Sequence, residues 1–380
     1  MDNKRQERKI IIHFKPKYNL CIGNGCNVFC VLLHVRGLME LDTKGDGIMK
    51  KMKQMLVYGV ALLFLFIGTG MGHAKVLKVK AGVGTGGVPG NMQYEYVNKF
   101  GELLQAYAGD KVKWELYPGG QLGSEQEQYQ SCRLGSQNVF SGAVANFTPF
   151  CEPLFALMFP GLFKSVEDAN QSVDRSLDEI NKLAVKHAGV RIIGWVASAS
   201  RTLLNSKKPI YVMADARDLK WRSAKNPIYI ETFKSWGINP IPTPWSEAYS
   251  GLKTGVIDGD YNPNWCHWTC STWEHCKYIC DPGCNFHMSA LVIGERFFQK
   301  LSKELQDAVI RAGKEATLWE RAWIKNNLLK RSEDGLKKNG IVTTELKDRE
   351  KWQEAVKTIW PKFYDQIGEE GKRILEIVQK

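Results

Sequence analysis

The chain has 380 residues, 44% hydrophobic and 24% charged, an ordinary globular balance and enough length for two domains. Its formal net charge is +12, but residues 1–74 hold 11 Lys and Arg against 5 Asp and Glu, so half of the excess lies there and the rest of the chain is only mildly basic. No basic stripe interleaved with aromatics occurs, which argues against nucleic-acid binding, and no G-x-S-x-G or Cys/His constellation supports nucleophilic catalysis.

Residues 49–74 read as a signal peptide. Met49-Lys50-Lys51-Met52-Lys53 is a basic start, Met55 to Ile67 is apolar, and Gly72-His73-Ala74 offers the small residues a signal peptidase needs, so cleavage is expected after Ala74. The apolar run falls short of the roughly 20 residues of a spanning helix. Residues 1–48 show no periodicity and are expected to be an upstream extension, with translation starting at Met49.

In the mature chain, residues 76–81 alternate like a strand, followed by a Gly-rich turn and an amphipathic helix over 91–108. A strand over 111–117, a short helix over 124–134 and a strand over 138–145 come next. Helix 165–187 has Ser165 as N-cap and Glu167-Asp168 in its first turn. Strand 190–196, a turn and strand over 209–222, helix 227–236, strand 238–242 and a helix over 246–254 capped by Gly255 follow. After a strand at 291–293 the chain reads as helical over 303–326, 328–339 and 349–379. Strands alternating with helices predict an α/β protein built on mixed, largely parallel sheets. Arg222 closes one of the β-type runs, where a lone cation is a candidate clamp for an anion.

Four segments, in order, resemble the solute-binding subunits of tripartite ATP-independent periplasmic (TRAP) transporters. They are Tyr117-Pro118-Gly119-Gly120-Gln121-Leu122-Gly123, Phe159-Pro160-Gly161-Leu162-Phe163, Arg201 to Ile210, and Asp258-Gly259-Asp260-Tyr261-Asn262-Pro263. The resemblance implies a two-lobe periplasmic-binding-protein fold with an interlobe cleft and long C-terminal helices. Lobe one would comprise residues 75–199 and 288–327, lobe two residues 200–287 and 328–380, with hinge positions near Ser198–Ser200. It implies a non-enzymatic, monomeric periplasmic receptor without cofactors, which binds an organic acid and delivers it to the small and large subunits of a membrane permease driven by an ion gradient.

By the same resemblance Arg222 grips the ligand carboxylate, a role suited to a planar guanidinium that offers two parallel N–H donors. Arg201 matches a second arginine that contacts ligand in some members, with a structural salt bridge as the other role open to it. Asn262 matches an amide that faces the cleft. Tyr261 stands where the family has a glutamate, removing a charge from the expected cleft. Trp245 stands at a pocket-wall position, and with Tyr249 and Trp265 it points to a bulky apolar part of the ligand.

Two signals compete. Gly82-Val83-Gly84-Thr85-Gly86-Gly87 satisfies G-x-G-x-x-G, and Glu102 follows 20 residues after Gly82, as in a dinucleotide-binding oxidoreductase. Glu102, however, falls within the expected helix and not at the end of the next strand. Cys266, Cys270, Cys276, Cys280 and Cys284 crowd together with His267, His275 and His287, and Cys132 and Cys151 bring the mature count to seven. Their spacing is not a standard zinc pattern, so structural or disulfide use is expected over binding of a soft metal.

Overall fold

The computed structural model describes residues 76–84 and 89–380. The expected signal peptide, the upstream extension and residues 85–88 of the glycine turn lie outside the described residues. In chain order the elements are β1 (Leu77–Val83), α1 (Met92–Ala108), β2 (Val112–Tyr117), α2 (Glu125–Leu134), β3 (Val139–Ala143), α3 (Val166–Leu183) and β4 (Val190–Ser200). The chain then enters β5 (Thr202–Asn205), β6 (Trp221–Ser223), α4 (Pro227–Ser235), β7 (Ile241–Pro242), α5 (Ala248–Thr254), β8 (Gly259–Asn262), α6 (Asn264–Thr269) and β9 (Tyr278–Cys280). It closes with β10 (Phe286–Gly294), α7 (Lys303–Trp323), α8 (Leu329–Lys338), β11 (Val342–Thr343), α9 (Arg349–Lys357) and α10 (Tyr364–Val378).

The strands form two sheets, in the orders β2-β1-β3-β10-β4 and β11-β9-β5-β8-β6-β7. The first has two parallel and two antiparallel pairings, and the second has three parallel and two antiparallel. This is the mixed α/β, two-sheet architecture expected. The chain crosses between the sheets at Arg201, directly from β4 into β5, and again over 281–285 between β9 and β10. The crossings lie side by side, because Ser200 pairs with Phe286 and the Arg201 N–H donates to the Asn285 carbonyl at 2.9 Å.

Local chemistry sets the ends of the helices. Ser165 accepts from the Asp168 N–H to start α3, and Ser302 accepts from the Leu305 N–H to start α7. Ser124 and Glu127 form a reciprocal capping box at the start of α2. Gly255, at φ 72°, ends α5 in the left-handed conformation that glycine adopts without strain. Long α7 packs on α1 and β4 beside the first sheet, while α8 packs on α6 beside the second.

Several boundaries differ from expectation. The helix expected over 349–379 is broken by a 3-10 turn at Trp360–Phe363, with Pro361 in its first turn, and kinked at Gly368 (φ 60°, ψ −169°). Its last part, α10, packs on α3 and on residues 152–158, beside the first sheet and not within the second lobe as expected. Of the turn and strand expected over 209–222, Met213–Ala216 forms a 3-10 turn and the extended part is confined to Trp221–Ser223. β9 and β11, at 3 and 2 residues, are too short for alternation to show in the sequence.

One buried group makes a pH prediction. Glu320 on α7 is fully buried, and neither carboxylate oxygen has a hydrogen-bond partner among the described residues. Burial, aided by the nearby Glu95 carboxylate, raises its pKa well above the ordinary 4.5. A raised folded-state pKa means that the proton stabilises the fold fully below about 4.5, and that this stabilisation is lost as pH rises through the folded pKa. Glu320→Gln, which is neutral at every pH, is therefore expected to raise Tm over wild type at pH 8, by about 1–3 kcal/mol of stability, and to give no gain at pH 4. Thermal melts of both proteins at the two pH values measure the difference.

Candidate ligand-binding cavity

A small cavity opens where the two sheets meet. From the first-sheet side come Gln93 of α1, Glu125 of α2, Asn146 just after β3, and His287 of β10. From the second come Arg222 of β6, Asn262 of β8, Trp265 and Cys266 of α6, and Trp245 from the turn before α5. Arg201 reaches it from the crossing itself. Direct hydrogen bonds join the two sides: Asn226 Nδ2 donates to the Ala145 carbonyl at 2.7 Å and to Thr148 Oγ1 at 3.0 Å, and Gln126 Nε2 donates to the Lys225 carbonyl at 3.3 Å.

The two arginines are 3% exposed and are held differently. Arg222 donates from Nε (3.0 Å) and Nη2 (2.8 Å) to the Thr243 carbonyl, and its Nη1 lies 3.4 Å from Asp260 Oδ1. The Trp245 ring covers its face, 5.4 Å from the guanidinium carbon. Burial draws the guanidinium pKa down from its ordinary value, and Asp260 opposes that shift. Arg201 donates from Nη1 to the Tyr261 carbonyl (2.8 Å) and to Asn262 Oδ1 (2.6 Å), so its contacts are to neutral groups and not the salt bridge that was the alternative. Its Nε is buried and has no hydrogen-bond partner among the described residues. Asn262 Nδ2 donates in turn to Asp260 Oδ2 at 2.7 Å, which links both arginines, the amide and the aspartate in one network.

Strand alternation explains which side chains of β8 arrive here. Asp260 and Asn262 share one face and Tyr261 the other. Tyr261, expected in the cleft, is instead a core residue, 3% exposed, with edge-on contacts to Phe233 and Trp236 at ring distances of 5.8 and 5.6 Å. The missing glutamate at that position therefore takes no charge out of this cavity, whose lining carboxylate is Glu125, with Asp260 behind Arg222. Tyr249, also expected to line the site, is 37% exposed on α5, where its hydroxyl donates to Glu274 Oε2 at 2.9 Å. Trp265 and Trp245 do line the cavity. Trp265 Nε1 donates to Ser198 Oγ at 3.1 Å, and its ring meets His287 edge-on at 5.0 Å.

Four polar lining residues carried no motif in the sequence. Glu125 Oε2 accepts from the Ala143 N–H (2.9 Å) and from Asn146 Nδ2 (2.7 Å). Burial raises its pKa above the ordinary value, opposed by those two hydrogen bonds and, more weakly, by Arg222 and Gln93. His287 contacts Ser198 Oγ through Nδ1 at 3.3 Å, and burial holds its pKa well below 6.5, so the imidazole is neutral near pH 7.

The competing signals resolve as follows. At Gly82 an added Cβ would lie 2.0 Å from Gln128 Oε1, and at Gly84 it would lie 2.3 Å from Glu125 Cγ. These glycines of the G-x-G-x-x-G run are thus accounted for by side chains packed against the backbone. Glu102 lies within α1, where its carboxylate pairs with Lys99 at 3.2 Å. The seven described cysteines, for which structural or disulfide use was expected, are free thiols, and no group of three or more His, Cys, Asp or Glu among the described residues is placed to hold a metal. Burial pushes Cys276, Cys280 and Cys284 up to about 12, as suits packing residues.

Residues 83–367 match the family model of bacterial extracellular solute-binding proteins, family 7. A 2,3-diketo-L-gulonate-binding periplasmic protein of Escherichia coli (strain K12) is 29% identical over 265 residues, 70% of this chain and 80% of its own length. A TRAP periplasmic solute-binding protein from Rhodobacter sphaeroides, solved in an apo open form, is 33% identical, with 80% of this chain and 98% of that chain covered and a TM-score of 0.67. One from Roseobacter denitrificans with bound β-D-glucuronate has a TM-score of 0.75 at 23% identity, over 80% of this chain and 99% of that chain, and speaks to the fold. With three quarters of its length matched, the chain belongs to the family-7 extracellular solute-binding proteins, the non-enzymatic solute-binding subunits of TRAP transporters.

Proposed function

We propose that the protein is an exported periplasmic receptor that holds an organic acid between Arg222 and Arg201 and presents it to the small and large subunits of a TRAP permease. The observation that carries this is the pair of buried guanidiniums in one cavity, of which Arg201 meets only neutral acceptors and keeps a buried N–H unpartnered. A carboxylate supplies both the missing acceptor and the missing charge. Solved relatives support the ligand class, being described with bound glucuronate, galacturonate and erythronate. Asn262 and Trp245 orient the acid, Asn262 by fixing Arg201 and Trp245 by covering Arg222. The side-by-side crossings at 200–202 and 281–286 are the hinge about which the cleft closes, excluding water and strengthening the ion pair.

A thermal-shift panel of organic acids, their neutral amides and nicotinamide dinucleotides tests this. A ligand at 100 times its Kd stabilises by about 2.7 kcal/mol, so an acid is expected to raise Tm by several degrees and its amide to leave it unchanged. A shift with dinucleotides alone would refute the receptor function.

A further inference from the structure

Building on the carboxylate receptor proposed above, we infer that Glu125 makes the cavity selective for hydroxylated monocarboxylates, the chemical class of the sugar acids, and excludes dicarboxylates of equal length. The charge of Arg222 already faces Asp260 at 3.4 Å, whereas Arg201 contacts only neutral groups: a carbonyl, an amide and the Tyr229 ring. One ligand carboxylate satisfies that imbalance. A second one meets Glu125, which is 5% exposed and lines the same cavity. The carboxylate of Glu125, whose Oε2 accepts from the Ala143 N–H and Asn146 Nδ2, repels a second carboxylate.

A hydroxyl suits the place better, because it donates to a Glu125 oxygen and accepts from an amide such as Asn146, which is already held at 2.7 Å from Glu125 Oε2. Backbone room is reserved for this carboxyl group. An added Cβ at Gly84 would stand 2.3 Å from Glu125 Cγ. A shallow pocket that Glu125, Asn146 and Trp245 share with Lys225 adjoins the cavity on its outer side. Lys225 is exposed, so its charge is screened by water and rewards a second carboxylate little.

Matched pairs that differ only at the far end provide the test: gluconate against glucarate, and erythronate against tartrate, titrated calorimetrically into the protein. Wild type is expected to bind the monocarboxylate of a pair at least about 30-fold more tightly than the dicarboxylate, and Glu125→Gln, which is neutral and isosteric, is expected to narrow that ratio to about threefold. Equal or tighter binding of the dicarboxylate by wild type would overturn the inference and needs no variant, as would an unchanged ratio in Glu125→Gln. Those two results leave the carboxylate receptor standing. No binding by any acid of the panel would instead overturn the receptor, and this inference with it.

Discussion

Arg222→Lys is expected to lower affinity for the acid by about 100-fold or more, most of it in the dissociation rate. An ammonium is a point charge and does not reproduce the guanidinium fork, which here uses Nε and Nη2 to hold the Thr243 carbonyl while Nη1 faces Asp260. The same geometry predicts a stability effect that has to be separated from the binding effect. Arg222→Gln leaves Asp260, which is fully buried, without its cation and is expected to cost about 3–5 kcal/mol of folding stability. Adding Asp260→Asn removes the orphaned charge, so the double variant is expected to regain most of that stability and none of the affinity. A double-mutant cycle in denaturant melts, read beside calorimetric Kd values, measures both. Recovered affinity in the double variant would show that Arg222 supports the fold and leaves the ligand alone.

Tyr261 is expected to behave in the opposite way. Its ring packs edge-on against Phe233, Trp236 and Tyr229 at 5.6 to 6.2 Å, and its hydroxyl contacts Asn285 Oδ1 at 3.3 Å. Tyr261→Ala empties a closely packed aromatic cluster and is expected to cost about 3–5 kcal/mol. Tyr261→Phe removes only the hydroxyl and is expected to leave ligand affinity within about threefold of wild type, because the side chain points away from the cavity. A large affinity loss in Tyr261→Phe, with stability unchanged, would return Tyr261 to the binding site.

Tyr261 also shows where the sequence was legible and where it was not. Motif order located Arg222, Arg201, Asn262 and Trp245, and the structure brings all four to one cavity. Motif matching alone also placed Tyr261 there, although period-2 alternation puts it on the face opposite to Asp260 and Asn262. Treating Asp258 to Pro263 as a strand first would have found Asp260. Glu125 gave no such signal. It directly follows the N-cap Ser124, where an acidic residue is expected from the helix dipole, and in sequence it looks the same as Glu127, which completes the capping box. Burial distinguishes the two: Glu125 is buried and accepts from the Ala143 N–H and Asn146, whereas Glu127 is exposed. The amphipathic helices and the long strands were readable because many residues repeat the period. Composition gives no sign of the crossing at Arg201, since a single residue separates β4 from β5; the expected boundary near Ser198–Ser200 came from the family resemblance.

A calorimetric titration with gluconate and with its uncharged amide, run in parallel on wild type and on the Arg222→Gln, Asp260→Asn double variant, is the decisive measurement. Saturable heat with the acid on wild type alone, and none with the amide on either protein, is the outcome that carboxylate capture by Arg222 requires. Equal binding of acid and amide, or equal binding of the acid by both proteins, would mean that the cavity recognises its ligand without this ion pair.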